Sequence, residues 1–284
     1  VIEVGDLRFT YPGADGPAVD GLRFEIDRGE VFGFLGPNGA GKSTTQKILI
    51  GLLREYDGTV TVLGTPLADW GPDLYEHIGV AFEFPNHYLK LTGLENLAYF
   101  RALYSEGTIS PEELLERVDL ADAAGVPVSR YSKGMKGRLS IARSLLNDPD
   151  ILFLDEPTTG LDPVSARRIK ELIRGQRRAG KTVFLTTHDM TAADDLCDRV
   201  AFIVDGRIAL IDTPRNLELE YGERRVRVEY LEDGRTERRE FPLDGLGAEQ
   251  AFLDLLSHPE LERIHTLEAT LEDVFVRITG RSLA

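Results

Sequence analysis

GPNGAGKST, residues 36–44, is the stretch on which the reading of this chain turns. It fits the pattern G-x-x-x-x-G-K-[ST], with Gly36, Gly41, Lys42 and Ser43 in the fixed places. Before it, residues 31–35 (VFGFL) form an uninterrupted apolar run of strand length, and residues 45–53 after it read as a helix. A buried strand entering a glycine loop that opens a helix is the setting in which this pattern cradles phosphates. Gly36, Gly39 and Gly41 let successive backbone N–H groups turn inward around phosphate oxygens. The helix N-terminus adds unpaired donors and the positive end of its dipole. Lys42 supplies a compact charge for the β and γ phosphates, and the Ser43 hydroxyl is placed to bind Mg²⁺. With Pro37, Asn38, Ala40 and Thr44 filling the remaining places, the whole loop is the expected ATP-binding segment.

Downstream, residues 151–156 (ILFLDE) read as a second buried strand whose C-terminal end delivers two adjacent carboxylates. Ligands of parallel sheets bind at that end, so Asp155 and Glu156 should face the same mouth as the phosphate loop. Asp155 suits Mg²⁺, through water, because Mg²⁺ keeps most of its hydration shell. Glu156 can orient, or take a proton from, a water attacking the γ phosphate. Residues 182–186 and 200–204 are further apolar runs, and residues 163–178 between them and the acidic strand read as a helix. This alternation predicts a parallel sheet.

Towards the N-terminus, residues 2–10 and 22–26 alternate as half-buried strands, as do residues 58–63, while residues 78–82 (IGVAF) form a short buried one. Tyr11 sits on a turn between the first two, where a planar ring could stack on adenine. Residues 92–147 change to helical character. Thr92 and Glu95 form a capping pattern, and Ser110, Pro111, Glu112 and Glu113 mark a second helix start. The expected fold is therefore α/β: a mixed or parallel core sheet, an antiparallel β subdomain and a helical insertion over about 86–150. After Pro214 the pattern shifts to a hairpin at 226–241 and helices near 248–256 and 270–279, a small C-terminal α+β domain over 215–284.

Composition bounds the partners. The chain has 284 residues, 42% hydrophobic and 29% charged, enough for one large domain and a smaller one with a sizeable core. A net charge of −15 argues against nucleic acid, since neutralising phosphates needs clustered Lys and Arg. Cys197 is the single cysteine, so no intrachain disulfide forms and a reducing cytosol is expected. No run approaches the roughly 18 apolar residues of a membrane span, and the start lacks a basic stretch followed by an apolar one. The first residue is Val, so a few N-terminal residues are expected to be absent.

Taken together, residues 1–214 resemble the ATP-binding subunit of an ATP-binding cassette transporter, a P-loop ATPase. The landmarks come in order: Tyr11, the phosphate loop, the signature Tyr131-Ser-Lys-Gly-Met135, Asp155-Glu156, the Gly160-Leu-Asp162 loop, and His188 after Thr186-Thr187. The resemblance implies that Ser132, Lys133, Gly134 and Met135 open a helix whose N-terminus faces the ATP held by a second cassette, most simply an identical one. Asp162 would lie in a loop at that dimer contact, and His188 would contact the γ phosphate. It also implies separate transmembrane permease subunits and a place on the cytoplasmic face of the cell membrane.

Departures from the common pattern refine the resemblance. Lys133 and Met135 stand where Gly and Gln are usual, a version familiar in drug-exporting members, and Gly137 stands where Gln is common. Glu83 occupies the place of a Gln that binds Mg²⁺, so the metal would gain a charged ligand. That change resembles the branch exporting bacitracin-like peptides and lantibiotics. Residues 267–275 (LEATLEDVF) resemble the tail of drug-export cassettes. The reading is thus an ATPase powering export of a drug, antibiotic peptide or lipid, with ATP and Mg²⁺. The competing class is a soluble cassette ATPase acting on ribosomes or nucleic acid; such proteins usually carry two cassettes or a long coiled-coil insertion, and neither is present.

Overall fold

The computed structural model describes residues 1–105, 107–221, 225–267 and 270–281. One compact unit is Val1–Thr213, and a second begins at Pro214. The first opens with β1 (Ile2–Phe9), β2 (Val19–Ile26), β3 (Val31–Leu35), α1 (Lys42–Leu49), β4 (Asp57–Val62), β5 (Thr65–Pro66), α2 (Leu74–His77) and β6 (Ile78–Ala81). Helices α3 (Gly93–Arg101), α4 (Pro111–Arg117) and α5 (Lys133–Ser144) follow. The unit closes with β7 (Ile151–Asp155), α6 (Pro163–Arg178), β8 (Thr182–Thr187), α7 (Met190–Leu196), β9 (Arg199–Val204) and β10 (Arg207–Asp212).

Six of these strands make one sheet in the order β10-β9-β3-β8-β7-β6. Neighbours run parallel except β10, which is antiparallel to β9. Parallel strands are covered on both faces, which is why β3 and β7 read as apolar runs and not as alternations. An antiparallel sheet, β2-β1-β4-β5, alternates buried and exposed residues instead. Its inner residues, Val4, Leu22, Phe24 and Val60 among them, share one core with Phe32, Phe34, Phe153 and Phe184 of the six-stranded sheet. Phe24 stacks on Phe32 with centroids 5.7 Å apart. Each buried ring stabilises by about 1.5–3 kcal/mol, so this layer holds the exit of β3 in place.

The helical insertion forms from the caps its sequence carries. Thr92 and Glu95 close a reciprocal capping box on α3, Ser110 caps α4 with Pro111 at its first position, and Ser132 caps α5. Elsewhere the boundaries differ from expectation. α1 starts at Lys42, as the phosphate loop implies, with Gly41 at φ 107° opening it, but it ends at Leu49 and not at Leu53, because Gly51 at φ 75° turns the chain away. β10 and α7 had no expectation: β10 is a half-exposed edge strand without clean alternation, and α7 is too short to show a helical period.

The second unit comprises α8 (Pro214–Tyr221), β11 (Arg225–Glu232), β12 (Arg235–Pro242), α9 (Gln250–Leu256), β13 (Leu261–Leu267) and α10 (Leu271–Thr279). β11 is the middle of a three-stranded antiparallel sheet, and its expected hairpin with β12 is present. β13 was not expected, since five of its seven residues are exposed and no apolar rhythm marks it. Val226, Val228, Tyr230, Phe241, Phe252 and Leu255 form a separate core. In the tail, Thr270 and Asp273 close a capping box on α10, which buries Leu271, Val274 and Phe275; Glu268 and Ala269 lie outside the described residues. Among the described residues no helix is long and apolar enough to cross a membrane.

Candidate functional site

β3, β6, β7 and β8 end at the same edge of the sheet. Their register sets Leu35 beside Thr187, Asp155 beside Thr186 and Ala81 beside Leu154. The segments leaving those strands therefore carry Gly36, Glu83, Glu156 and His188 to one place. A cleft of about 340 Å³ opens there, lined by Tyr11, Ala18, Asn38, Gly39, Gly41, Lys42, Ser43, Thr44, Glu83, Asp155 and Glu156.

The loop's glycines answer to close contacts. A Cβ on Gly36 would lie 2.2 Å from the Ile203 carbonyl oxygen, and one on Gly41 would lie 2.6 Å from that of Ala18. No side chain fits at either place. Lys42 is buried, and its Nζ donates to the carbonyls of Gly36 at 2.6 Å and Pro37 at 3.1 Å. Burial lowers its pKa, opposed by the charges of Glu156, Asp155 and Glu83. Bonded among the described residues only to neutral carbonyls, the ammonium would gain from an entering anion, whose charge-assisted bonds are stronger. The Tyr11 hydroxyl lies 3.2 Å from Thr44 Oγ1, and its ring stands edge-on to Phe9 with one flank exposed.

The two carboxylates are held differently. Glu156 is buried, with φ at +50°, a conformation that non-glycine residues rarely adopt and that turns its side chain off the end of β7. Its Oε1 accepts from the His188 N–H at 3.0 Å and lies 2.6 Å from His188 Nδ1. Oε2 accepts from the hydroxyls of Thr159 at 3.0 Å and Thr187 at 2.9 Å. Thr187 Oγ1 in turn accepts from the Asp189 N–H at 3.0 Å. Asp155 accepts from the Thr186 hydroxyl, while burial, with Glu156 adding to it, raises its pKa. Thr159, Thr186 and Thr187 were not among the expected site residues. Thr159 reaches Glu156 from three residues on in the turn that leaves β7, and the β7–β8 register is what brings the hydroxyls of Thr186 and Thr187 to the carboxylates.

Ser43, Glu83 and Asp155 bring hard oxygen donors to one cleft. A carboxylate that burial disfavours, with few protein oxygens around it, fits Mg²⁺, which takes one or two carboxylates and keeps its waters.

Ser132, Lys133, Gly134 and Met135 do not line this cleft. The Ser132 hydroxyl accepts from the Met135 N–H at 3.2 Å, as an N-cap of α5. A Cβ on Gly134 would meet Leu161 Cδ2 at 3.3 Å, and one on Gly160 would meet the Lys133 side chain at 3.5 Å. The start of α5 thus rests on the loop leading to Asp162. Asp162 accepts from the N–H groups of Val164 and Ser165, both at 3.0 Å, and the Ser165 hydroxyl first, then these N–H groups, lower its pKa. Open space surrounds Gly137, and nothing in the structure explains a glycine there. Cys197 is buried, which pushes its thiol pKa up and keeps it from acting as a nucleophile.

Comparison with known proteins agrees with this geometry. Residues 19–159 match the ABC transporter family, and residues 224–268 match the fluoroquinolone efflux ABC transporter C-terminal domain. A fluoroquinolones export ATP-binding protein of Mycobacterium tuberculosis is 58% identical over all of this chain and 94% of its own length. A Nod factor export ATP-binding protein of Sinorhizobium fredii is 39% identical over 99% of this chain and 87% of its own. Among solved structures, a dimeric, post-hydrolysis ATP-binding cassette bound to ADP and Pi aligns with a TM-score of 0.69 at 28% identity, covering 75% of this chain and 98% of that one. An ATP-binding subunit of an ABC transporter aligns at 0.70 and 32% identity, covering 78% of this chain and 93% of that one.

Proposed function

The chain belongs to the ATP-binding cassette transporter family as the ATP-binding, ATP-hydrolysing subunit of an exporter, and from that premise we propose how its residues divide the work and what it exports. The observation that carries the proposal is the meeting of Lys42, Asp155, Glu156 and His188 at one cleft while Ser132 opens a helix elsewhere on the surface. ATP enters with its adenine on Tyr11 and its phosphates against the N–H groups of the 36–44 loop. Lys42 exchanges its carbonyl partners for β and γ oxygens. Ser43, Asp155 and Glu83 would hold Mg²⁺, which when bound neutralises charge on those oxygens. Glu156 orients the attacking water and receives its proton, and His188 keeps Glu156 and the γ phosphate in register.

One cassette supplies only half of each site. Ser132, Lys133, Gly134 and Met135 would face the phosphate held by a second cassette, where the helix dipole and N–H groups of α5 favour negative charge. Asp162 and its loop would lie at the same contact. Nearly all of the catalysis is then positioning and charge stabilisation. The pair works on the cytoplasmic face of separate membrane subunits, and the cargo is an amphipathic aromatic drug of the fluoroquinolone kind. The 58% identity to a fluoroquinolones exporter and the match of the C-terminal residues support that cargo over a peptide or lipid.

The test is Glu156→Gln. ATP turnover should fall below detection while an ATP-bound dimer accumulates on a sizing column. Hydrolysis at the wild-type rate would remove Glu156 as the base. For the cargo, cells carrying the chain with its permease should accumulate less fluoroquinolone than cells carrying the Glu156→Gln form.

A further inference from the structure

A short strap joins the cleft to α5. Glu83 lines the cleft together with Asp155 and Lys42. Pro85 stiffens the next step of the chain. The Asn86 carbonyl then accepts from Arg143 Nη1 at 2.8 Å, and His87 Nε2 lies 2.9 Å from the Lys136 carbonyl. Arg143 and Lys136 both belong to α5, the helix that Ser132 opens. One residue on, the Tyr88 N–H and carbonyl are each held at 3.0 Å by the side-chain amide of buried Asn96 on α3. The segment thus runs from the cleft wall, through four residues, to bonds that fasten it to the helical arm.

His87 is a costly choice for packing alone. It is 8% exposed. A carbonyl only accepts, so Nε2 carries the proton, and Nδ1 is left as a buried acceptor with no hydrogen-bond partner among the described residues. Burial above all, with Arg143 and Lys136 adding to it, brings the pKa to about 4 against the pull of the Lys136 hydrogen bond, so the ring is neutral near pH 7. A phenyl ring would fill similar space without an unsatisfied nitrogen. What histidine adds is one donor aimed at the backbone of α5.

We propose that His87 is a positioning residue, whose bond to Lys136 carries displacements of Glu83 to α5 and so sets where Ser132 stands as the second cassette closes. This rests on the roles assigned above to Glu83 and Ser132. The strap makes the occupied cleft and the signature helix move as one piece, and a bond from a neutral ring of fixed tautomer keeps that linkage intact around neutral pH.

The test uses the purified full chain. His87→Phe keeps a ring and removes the donor, whereas His87→Gln keeps a donor of similar reach. His87→Phe should lower kcat about tenfold and leave KM for ATP within about twofold, with His87→Gln restoring most of kcat. Combined with Glu156→Gln, His87→Phe should weaken ATP-dependent dimerisation about tenfold. A merely structural role would lower the melting temperature and leave kcat and dimerisation unchanged, and that result would overturn the proposal. If His87→Phe does not fold, Arg143→Gln breaks the neighbouring bond to Asn86 and should give the same loss of kcat at constant KM; wild-type kcat there is equally fatal. The two readings separate cleanly. If Glu156→Gln alone fails to dimerise with ATP, the assignment of Ser132 is wrong; if it dimerises equally well with or without the His87 donor, only the strap is wrong.

Discussion

Thr187 accepts from the Asp189 N–H and donates to Glu156, so one buried hydroxyl ties the carboxylate to the segment carrying His188. Thr187→Val keeps the shape and removes both bonds. Glu156 would then swing more freely, and kcat should fall about tenfold with KM for ATP unchanged, in a steady-state assay. Asp155 makes a separate statement about stability. Its carboxyl titrates higher in the folded chain than in the unfolded one, chiefly because it is buried. Folding therefore favours the protonated form: the associated stability is complete below the unfolded pKa and is lost as pH rises through the folded one. Asp155→Asn should raise the melting temperature of the nucleotide-free protein at neutral pH and abolish the further rise on adding Mg²⁺ and ATP. A lower melting temperature without nucleotide would contradict this account of the site.

α5 has two jobs at its two ends. At its start, Ser132 caps the helix. Ser132→Ala should cost about 1 kcal/mol in urea denaturation of the single subunit, the usual loss of an N-cap, and impair ATP-dependent dimerisation beyond what that instability explains. At its far end, α5 rests against β6. A Cβ on Gly79 would fall 1.9 Å from the Ser144 carbonyl oxygen and 2.9 Å from Pro149 Cγ. Backbone cannot yield as a side chain can. Gly79→Ala should destabilise the unit by ~1–3 kcal/mol, seen as a lower urea midpoint at unchanged slope. β6 leads directly to Glu83, so the same contact helps to set the start of the strap.

The chain splits between Thr213 and Pro214 into two units, each with buried apolar residues of its own. We expect a chain truncated after Thr213 to fold and to bind ATP with Kd within about twofold of the full chain by calorimetry, as a unit with its own core should. Failure to fold would mean that the units depend on one another for stability. The sequence alone determined the phosphate loop, the acidic strand end and the fold class, because each is written in contiguous residues: an apolar run, glycines where backbone must approach, a cap before a helix. Only the tertiary structure decided how Thr159, Thr186 and Thr187 meet the carboxylates, that Lys42 is held by its own loop, and that His87 reaches Lys136. The bonds of Thr186, Thr187 and His87 join residues dozens of positions apart through strand register and helix packing, while those of Thr159 and Lys42 depend on how a turn folds back on itself, and no local periodicity records either. β10 and β13 escaped the sequence for a related reason: an edge strand half open to solvent is held by its neighbour's backbone hydrogen bonds, and backbone groups leave no mark on the choice of side chains.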